Sequence, residues 1–146
     1  AIKIFLKDPR FRAVFLFRVS NLLFRYHMTR TARICSNVLA VRYGLQTRPD
    51  LEIGDGFRIV HLGGIVIHGD CKIGTNFTIL NNVTLGQRSR KNLSVPTVGS
   101  NVYIGTQSII LGGCSIGDHV KIDAGMRIAE DIAPFSKVIN SSFTNG

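Results

Sequence analysis

The side chains in this sequence that could do chemistry are few. There are four histidines, three cysteines and a short basic cluster, Arg88, Arg90 and Lys91, in the stretch Gly86–Pro96. An imidazole titrates near pH ~6.5, so at neutral pH it can take a proton from an alcohol that is otherwise a poor nucleophile. His61 lies two positions after Ile59 and just ahead of Gly63-Gly64. A lone histidine at such a turn is more often an exposed polar residue, so position alone assigns it no role. A zinc site would need a closely spaced pair with a third ligand. His61 and His68 are seven apart and His119 is remote, so no metal is expected. Cys35, Cys71 and Cys114 are odd in number and lack metal-ligand spacing, which fits reduced, buried thiols of a cytoplasmic protein. Residues 86–96 are irregular and glycine-poor, unlike a nucleotide phosphate loop.

What would hold these groups in place is a repeat. An aliphatic residue recurs every six positions at Ile53, Ile59 and Ile65, then at Ile73, Ile79 and Leu85. The series resumes at Val98, Ile104, Ile110, Ile116, Ile122 and Ile128. It is broken by a two-residue insertion between Ile65 and Ile73, which His68 begins, and by the longer one after Leu85. Neither an amphipathic helix nor an isolated strand has a period of six, so a repeat architecture comes first. Glycine often follows the aliphatic residue, as at Gly54, Gly74, Gly86, Gly99, Gly105 and Gly117. The third position after it is Gly56, Asn76, Asn82, Asn101, Gly113, His119 or Gly125, types that tolerate positive φ at a corner. The fourth, from Phe57 and Gly63 through Phe77, Val83, Val102, Ser108, Cys114 and Val120 to Met126, suits an inward-facing site. The pattern predicts a mainly β fold, a parallel β-helix whose 18-residue coils place a strand on each side of a triangular prism.

The first 48 residues differ in kind. They hold ten basic residues against Asp8 alone, whereas residues 49–146 are neutral in sum, so the net charge of +9 sits at one end. Apolar residues at spacings of three and four predict helices, from Ile4 and Phe5 onward. Asp8-Pro9 should cap and open the second of them, and a third should run over about Arg30–Tyr43 and stop at Gly44. The arginines are the solvated face of these helices, or they attract an anionic membrane surface or an acidic polymer. No nucleic-acid reading motif accompanies the charge. A composition of 45% hydrophobic residues with nine Phe provides a core and excludes wholesale disorder. Apolar runs such as Val14–Phe17 and Ile109–Leu111 are far too short to span a bilayer, and Ala1–Pro9 lack the apolar core of a secretory signal.

With these segments in view, a resemblance emerges. Left-handed β-helix acyltransferases are built of such hexads, and the stretch after Pro49 resembles their serine acetyltransferase branch. The likeness is carried by Ile53-Gly54-Asp55-Gly56, His61-Leu62-Gly63-Gly64-Ile65-Val66-Ile67, Asn82-Val83-Thr84-Leu85-Gly86, and Pro96 leading to Val98-Gly99. Phe17-Arg18-Val19-Ser20-Asn21 is similar to the end of that branch's helical domain, which is much longer than the front of this chain. Short-fronted chains of this style occur among capsule and exopolysaccharide acetyltransferases.

The resemblance implies left-handed winding, acetyl-CoA as donor, no metal, and a homotrimer with clefts between adjacent prisms. It gives His61 the role of general base, with direct transfer and no covalent intermediate. It puts Gly86, Thr106 and Ala124 along the groove for the pantetheine arm, with Asp123 where a glycine is expected. It sends the 86–96 loop to a neighbouring subunit, where Arg88, Arg90 and Lys91 would meet CoA phosphates or an acidic acceptor. Two departures stand out: Gln46 replaces the acidic partner of the histidine, and Val95 replaces a loop histidine. From these departures we expect an O-acetyltransferase acting on a hydroxyl of a sugar or polysaccharide precursor. Serine O-acetyltransferase is the alternative, and a non-catalytic β-helical docking module is the alternative from another class. The expected organisation is a basic helical segment over 1–48, a β-helix over 49–134 with loop 86–96, and a tail over 135–146. The expected location is cytoplasmic, with peripheral contact at the inner membrane face through residues 1–48.

Overall fold

A computed structural model describes residues 7–140 of the chain. The helical run expected around Ile4 and Phe5 lies outside the described residues. Helix α1 spans Pro9–Arg25, with Asp8 as its N-cap accepting a hydrogen bond from the Arg10 amide and Pro9 in the first turn. Helix α2 spans Thr29–Tyr43 and ends at Gly44, which is left-handed at φ 63. The two pack as a hairpin whose seam holds small residues: Ser20 Oγ donates to the Ala32 carbonyl at 2.9 Å and lies 3.2 Å from Ser36 Oγ.

Among the described residues fourteen short strands follow, from β1 (Leu45–Gln46) to β14 (Lys137–Val138). They form three parallel sheets in which sequence neighbours never pair. The first sheet stacks Leu45–Gln46, Ile65–Ile67, Thr84–Gly86, Ile109–Leu111 and Arg127–Ile128. The second stacks Glu52–Ile53, Lys72–Ile73, Thr97–Val98 and Ser115–Ile116, and the third runs from Arg58–Ile59 to Lys137–Val138. The chain therefore visits each face of a prism once per coil, as the hexads require. All twelve repeat aliphatics are buried, and where nothing is inserted the coil closes in 18 residues, with Ile110 opposite Ile128. The prism takes in Leu45–Gln46 ahead of Pro49 and Lys137–Val138 beyond Pro134, because both find backbone partners on the adjoining coil.

The corners follow the sequence with two corrections. Positive φ occurs at Gly56, Asn76, Asn82, Asn101, His119 and Gly125 as expected. At the remaining one Gly112, not Gly113, takes it, since Ile109–Leu111 is a three-residue strand and the turn begins directly after it. Gly63 is not an inward position. Leu62 packs against the core at that corner instead.

The two-residue insertion also moves. Ile59 stands opposite Ile79 and Ile67 opposite Leu85. Measured against the following coil, the extra residues therefore fall between Ile59 and Ile67, at the corner that carries His61. Ile65 and Ile67 both point inward, and this lets the strand absorb the mismatch.

The hairpin closes the first coil. A β-helix exposes backbone carbonyls on its terminal coil, which need partners. Arg18 donates to the Ile53 and Gly54 carbonyls at 2.6 and 2.5 Å, and Asn21 Nδ2 donates to the Pro49 carbonyl at 2.7 Å. Phe17 meets Phe57 edge-on at 5.8 Å, and Phe57 stacks on Phe77 at the same separation, joining helix to prism by an aromatic ladder.

Candidate active site

His61 sits on the corner between the third and first sheets, in the widened segment Val60–Gly64. Its side chain is exposed and makes no hydrogen bond among the described residues. Gln46, on the strand at the start of the first sheet, is exposed and does not bond to it, so among the described residues no side chain orients the ring. The backbone beside it is held more firmly. Arg10 Nη1 donates to the Val60 carbonyl at 3.2 Å, and Val60 N donates to the Ile79 carbonyl at 3.0 Å. On the other flank Gly63 touches Gly44, where a Cβ would come within 2.7 Å of the Gly63 Cα.

A cleft opens at this corner, lined by Lys7, Asp8, Arg10, Val60, His61 and Leu62. Asp8 and Arg10 form a two-pronged pair, with Arg10 Nε to Asp8 Oδ1 at 3.0 Å and Nη2 to Oδ2 at 2.9 Å. That side-chain hydrogen bond holds the Asp8 carboxyl below the usual carboxylate range. The imidazole thus faces both signs of charge on a mostly apolar floor. The sequence marked Asp8 only as a helix cap and Arg10 only as part of a basic front; nothing in it placed them 50 residues on, beside His61.

The other site residues divide between two corners. Thr106 and Ala124 continue the edge that begins at His61, stacked on Asn81: Thr106 Oγ1 donates to the Asn81 carbonyl at 3.0 Å, and the Gly125 amide donates to the Thr106 carbonyl at 2.8 Å. Gly86 lies at the far end of the first sheet, opposite Leu111, where the loop departs. A Cβ there would meet only the Leu111 side chain at 4.0 Å, so Gly86 leaves room rather than closing a groove. Arg88, Arg90 and Lys91 are exposed on that loop and form no ion pair among the described residues. They belong to a different corner of the prism from His61. Val95 packs partly against the core.

His68 closes the same far corner, its Nδ1 accepting from the Asp70 amide at 3.2 Å, so it stays apart from His61. Cys71 and Cys114 are buried, and burial pushes the Cys71 thiol up to about 11, which removes both as nucleophiles at neutral pH. Among the described residues no cluster of histidine, cysteine or carboxylate side chains could hold a metal ion.

Residues 96–129 match the family model for the bacterial transferase hexapeptide (six repeats). Serine acetyltransferase of Helicobacter pylori (strain ATCC 700392 / 26695) is 31% identical over 140 residues, covering 95% of this chain and 82% of that protein. This chain belongs to the serine acetyltransferase family of hexapeptide-repeat transferases. The serine acetyltransferase of Bacillus subtilis (strain 168) is 33% identical over 128 residues, which are 87% of this chain and 59% of that protein. The chain thus spans well under two thirds of the length of that relative. Among solved structures, serine acetyltransferase isoform 3 of Entamoeba histolytica in complex with cysteine superposes with a TM-score of 0.85 at 28% identity, over 98% of this chain and 52% of that one. A serine acetyltransferase complex with CoA gives 0.79 at 27% identity, over 87% and 52%. The prism has the left-handed winding of these serine acetyltransferases. The comparisons overturn the sugar or polysaccharide acceptor expected from Gln46 and Val95. Those two substitutions concern single contacts, whereas the family likeness runs through both helices and all five coils.

Proposed function

We propose that this chain transfers the acetyl group of acetyl-CoA to the hydroxyl of serine, with His61 as general base. In this reading the serine oxygen attacks the thioester carbonyl and its proton passes to the His61 imidazole. The tetrahedral intermediate expels the CoA sulfur, which takes that proton and leaves as a thiol; the products are O-acetylserine and CoA. Backbone amides at the corner would stabilise the oxyanion.

The observation that carries the choice of acceptor is the charge around the imidazole. Lys7 and Arg10 stand with Asp8 in one cleft with His61. An α-amino acid presents a carboxylate and an ammonium next to its reacting hydroxyl, and a cleft bearing both signs matches it. Asp8 and Arg10 are already paired with each other, so what the cleft offers a zwitterion is Lys7, which forms no ion pair among the described residues, for its carboxylate, and the remaining lone pairs of the Asp8 oxygens for its ammonium. Small residues at Thr106 and Ala124 along the edge below His61 favour a thin pantetheine arm there. A homotrimer completes the reading, because Arg88, Arg90 and Lys91 are on another corner of the prism, and a neighbouring copy could bring them to the cleft.

The test is release of CoA thiol from acetyl-CoA, with L-serine compared against a panel of nucleotide sugars and simple alcohols. Serine should be the efficient acceptor. Turnover with the panel but not with serine would overturn the assignment.

A further inference from the structure

The outer face of the helical hairpin has no role in the cleft or the prism. Helix α2 buries Ala32, Ser36 and Leu39 against α1. Its opposite side shows Ile34, Val38 and Val41, exposed by 61%, 40% and 90%. Their spacing of four and three residues makes one apolar stripe along the helix. Exposed Arg30, Arg33 and Arg42 border that stripe, and the hairpin turn adds Tyr26 and Met28, exposed by 72% and 50%.

The arginines of this face are unspent. Arg10 is bound to Asp8, Arg18 serves the carbonyls of the first coil, and Arg48 bridges Asp50 and Asp70. Arg25, Arg30, Arg33 and Arg42 form no ion pair among the described residues. No aspartate or glutamate occurs in the sequence between Asp8 and Asp50, so the hairpin has no acidic residue to offer a second copy of itself. Two such faces would repel. Exposed apolar side chains flanked by long cations instead match an anionic interface, where aliphatic groups enter the acyl boundary and guanidinium groups reach the phosphates.

We propose that the outer face of α2, with the hairpin turn, docks this protein on an anionic phospholipid bilayer. The surface is peripheral: among the described residues no helix is long and apolar enough to cross a membrane. Because α1 both backs α2 and lines the His61 cleft, docking would hold that cleft close to the membrane plane without occupying it.

Flotation of the full chain with vesicles of phosphatidylcholine and phosphatidylglycerol tests this, with pure phosphatidylcholine as control. Binding should require the anionic lipid and should be lost in ~1 M salt, where screening shortens to about 3 Å. The Ile34→Glu/Val41→Glu variant should bind at least about tenfold more weakly, and so should Arg30→Ala/Arg33→Ala. Both should keep the wild-type circular dichroism spectrum and acetyl-transfer rate, because these side chains touch neither core nor cleft. No binding to anionic vesicles at low salt would overturn the proposal, as would binding that both variants retain. Loss of self-association in Ile34→Glu/Val41→Glu, seen by sedimentation with no vesicle binding by the wild type, would reassign the face to a contact between copies. The vesicle readout does not depend on the acceptor, so its failure is separable from failure of serine as substrate.

Discussion

Arg10 reaches across 50 residues of sequence to donate from Nη1 to the carbonyl of Val60, the residue before His61. One guanidinium thereby ties the first turn of a helix to the corner that presents the imidazole, while its other nitrogens grip Asp8. Arg10→Ala should release that corner. Misplacing a catalytic group by about 1 Å can cost on the order of 100-fold. We expect kcat to fall about 10- to 100-fold, with the thermal midpoint close to wild type, since Arg10 is exposed. Arg10→Lys should recover little, because one ammonium cannot hold both the carboxylate and the carbonyl. Steady-state kinetics of the two variants checks this, and an unchanged kcat in Arg10→Ala would refute the anchor.

His61→Ala removes the proposed base from an exposed position and should leave the fold intact. General-base assistance is worth about 100- to 10,000-fold. We therefore expect a loss of at least about 100-fold in turnover, with the wild-type circular dichroism spectrum. Turnover near wild type would take His61 out of the mechanism.

Gly44 ends α2 at φ 63 and packs its Cα side against Gly63. A side chain there meets both a disfavoured backbone region and the corner of the cleft. The left-handed conformation alone costs an L-residue about 1–2 kcal/mol. Gly44→Ala should lower the urea midpoint accordingly and reduce acetyl transfer as well, because the backbone that must give way adjoins His61. A variant that is destabilised but fully active would show that the corner yields without moving the imidazole.

Stability should fall at both ends of the pH scale, for different reasons. The Asp50 carboxyl is held low by its hydrogen bond to Arg48. Its folded value lies below the unfolded one, so its contribution is present at neutral pH and lost as pH drops below about 4. At the alkaline end, burial holds the Cys71 thiol protonated up to about 11. The unfolded chain gives up that proton earlier, near pH 8.5–9 (about the value of a free thiol), so stability declines as pH rises through that window. Thermal melts from pH 2 to 11 should trace this dome, and Cys71→Ala should flatten its alkaline side. Consistent with burial, Cys71 and Cys114 should resist alkylation at pH 8 while half-buried Cys35 reacts.

The sequence by itself determined the prism. A rung of Ile, Leu or Val every six residues can be buried only if each hexad turns a corner, and Gly or Asn at the turns permits the positive φ that corners need. It also determined the hairpin ends, because Asp8-Pro9 and Gly44 act through local backbone chemistry. Tertiary structure decided where the extra residues of the second coil fall, since that depends on which of Ile65 and Ile67 faces Leu85. It decided the fate of the arginines too: identical in sequence, they are divided among coil carbonyls, a carboxylate and solvent by where the hairpin lands on the first coil. The charged surroundings of His61 are of this second kind. They arise from contact between residues 50 apart, which no periodicity encodes, and they run opposite to what Gln46 and Val95 led us to expect of the acceptor.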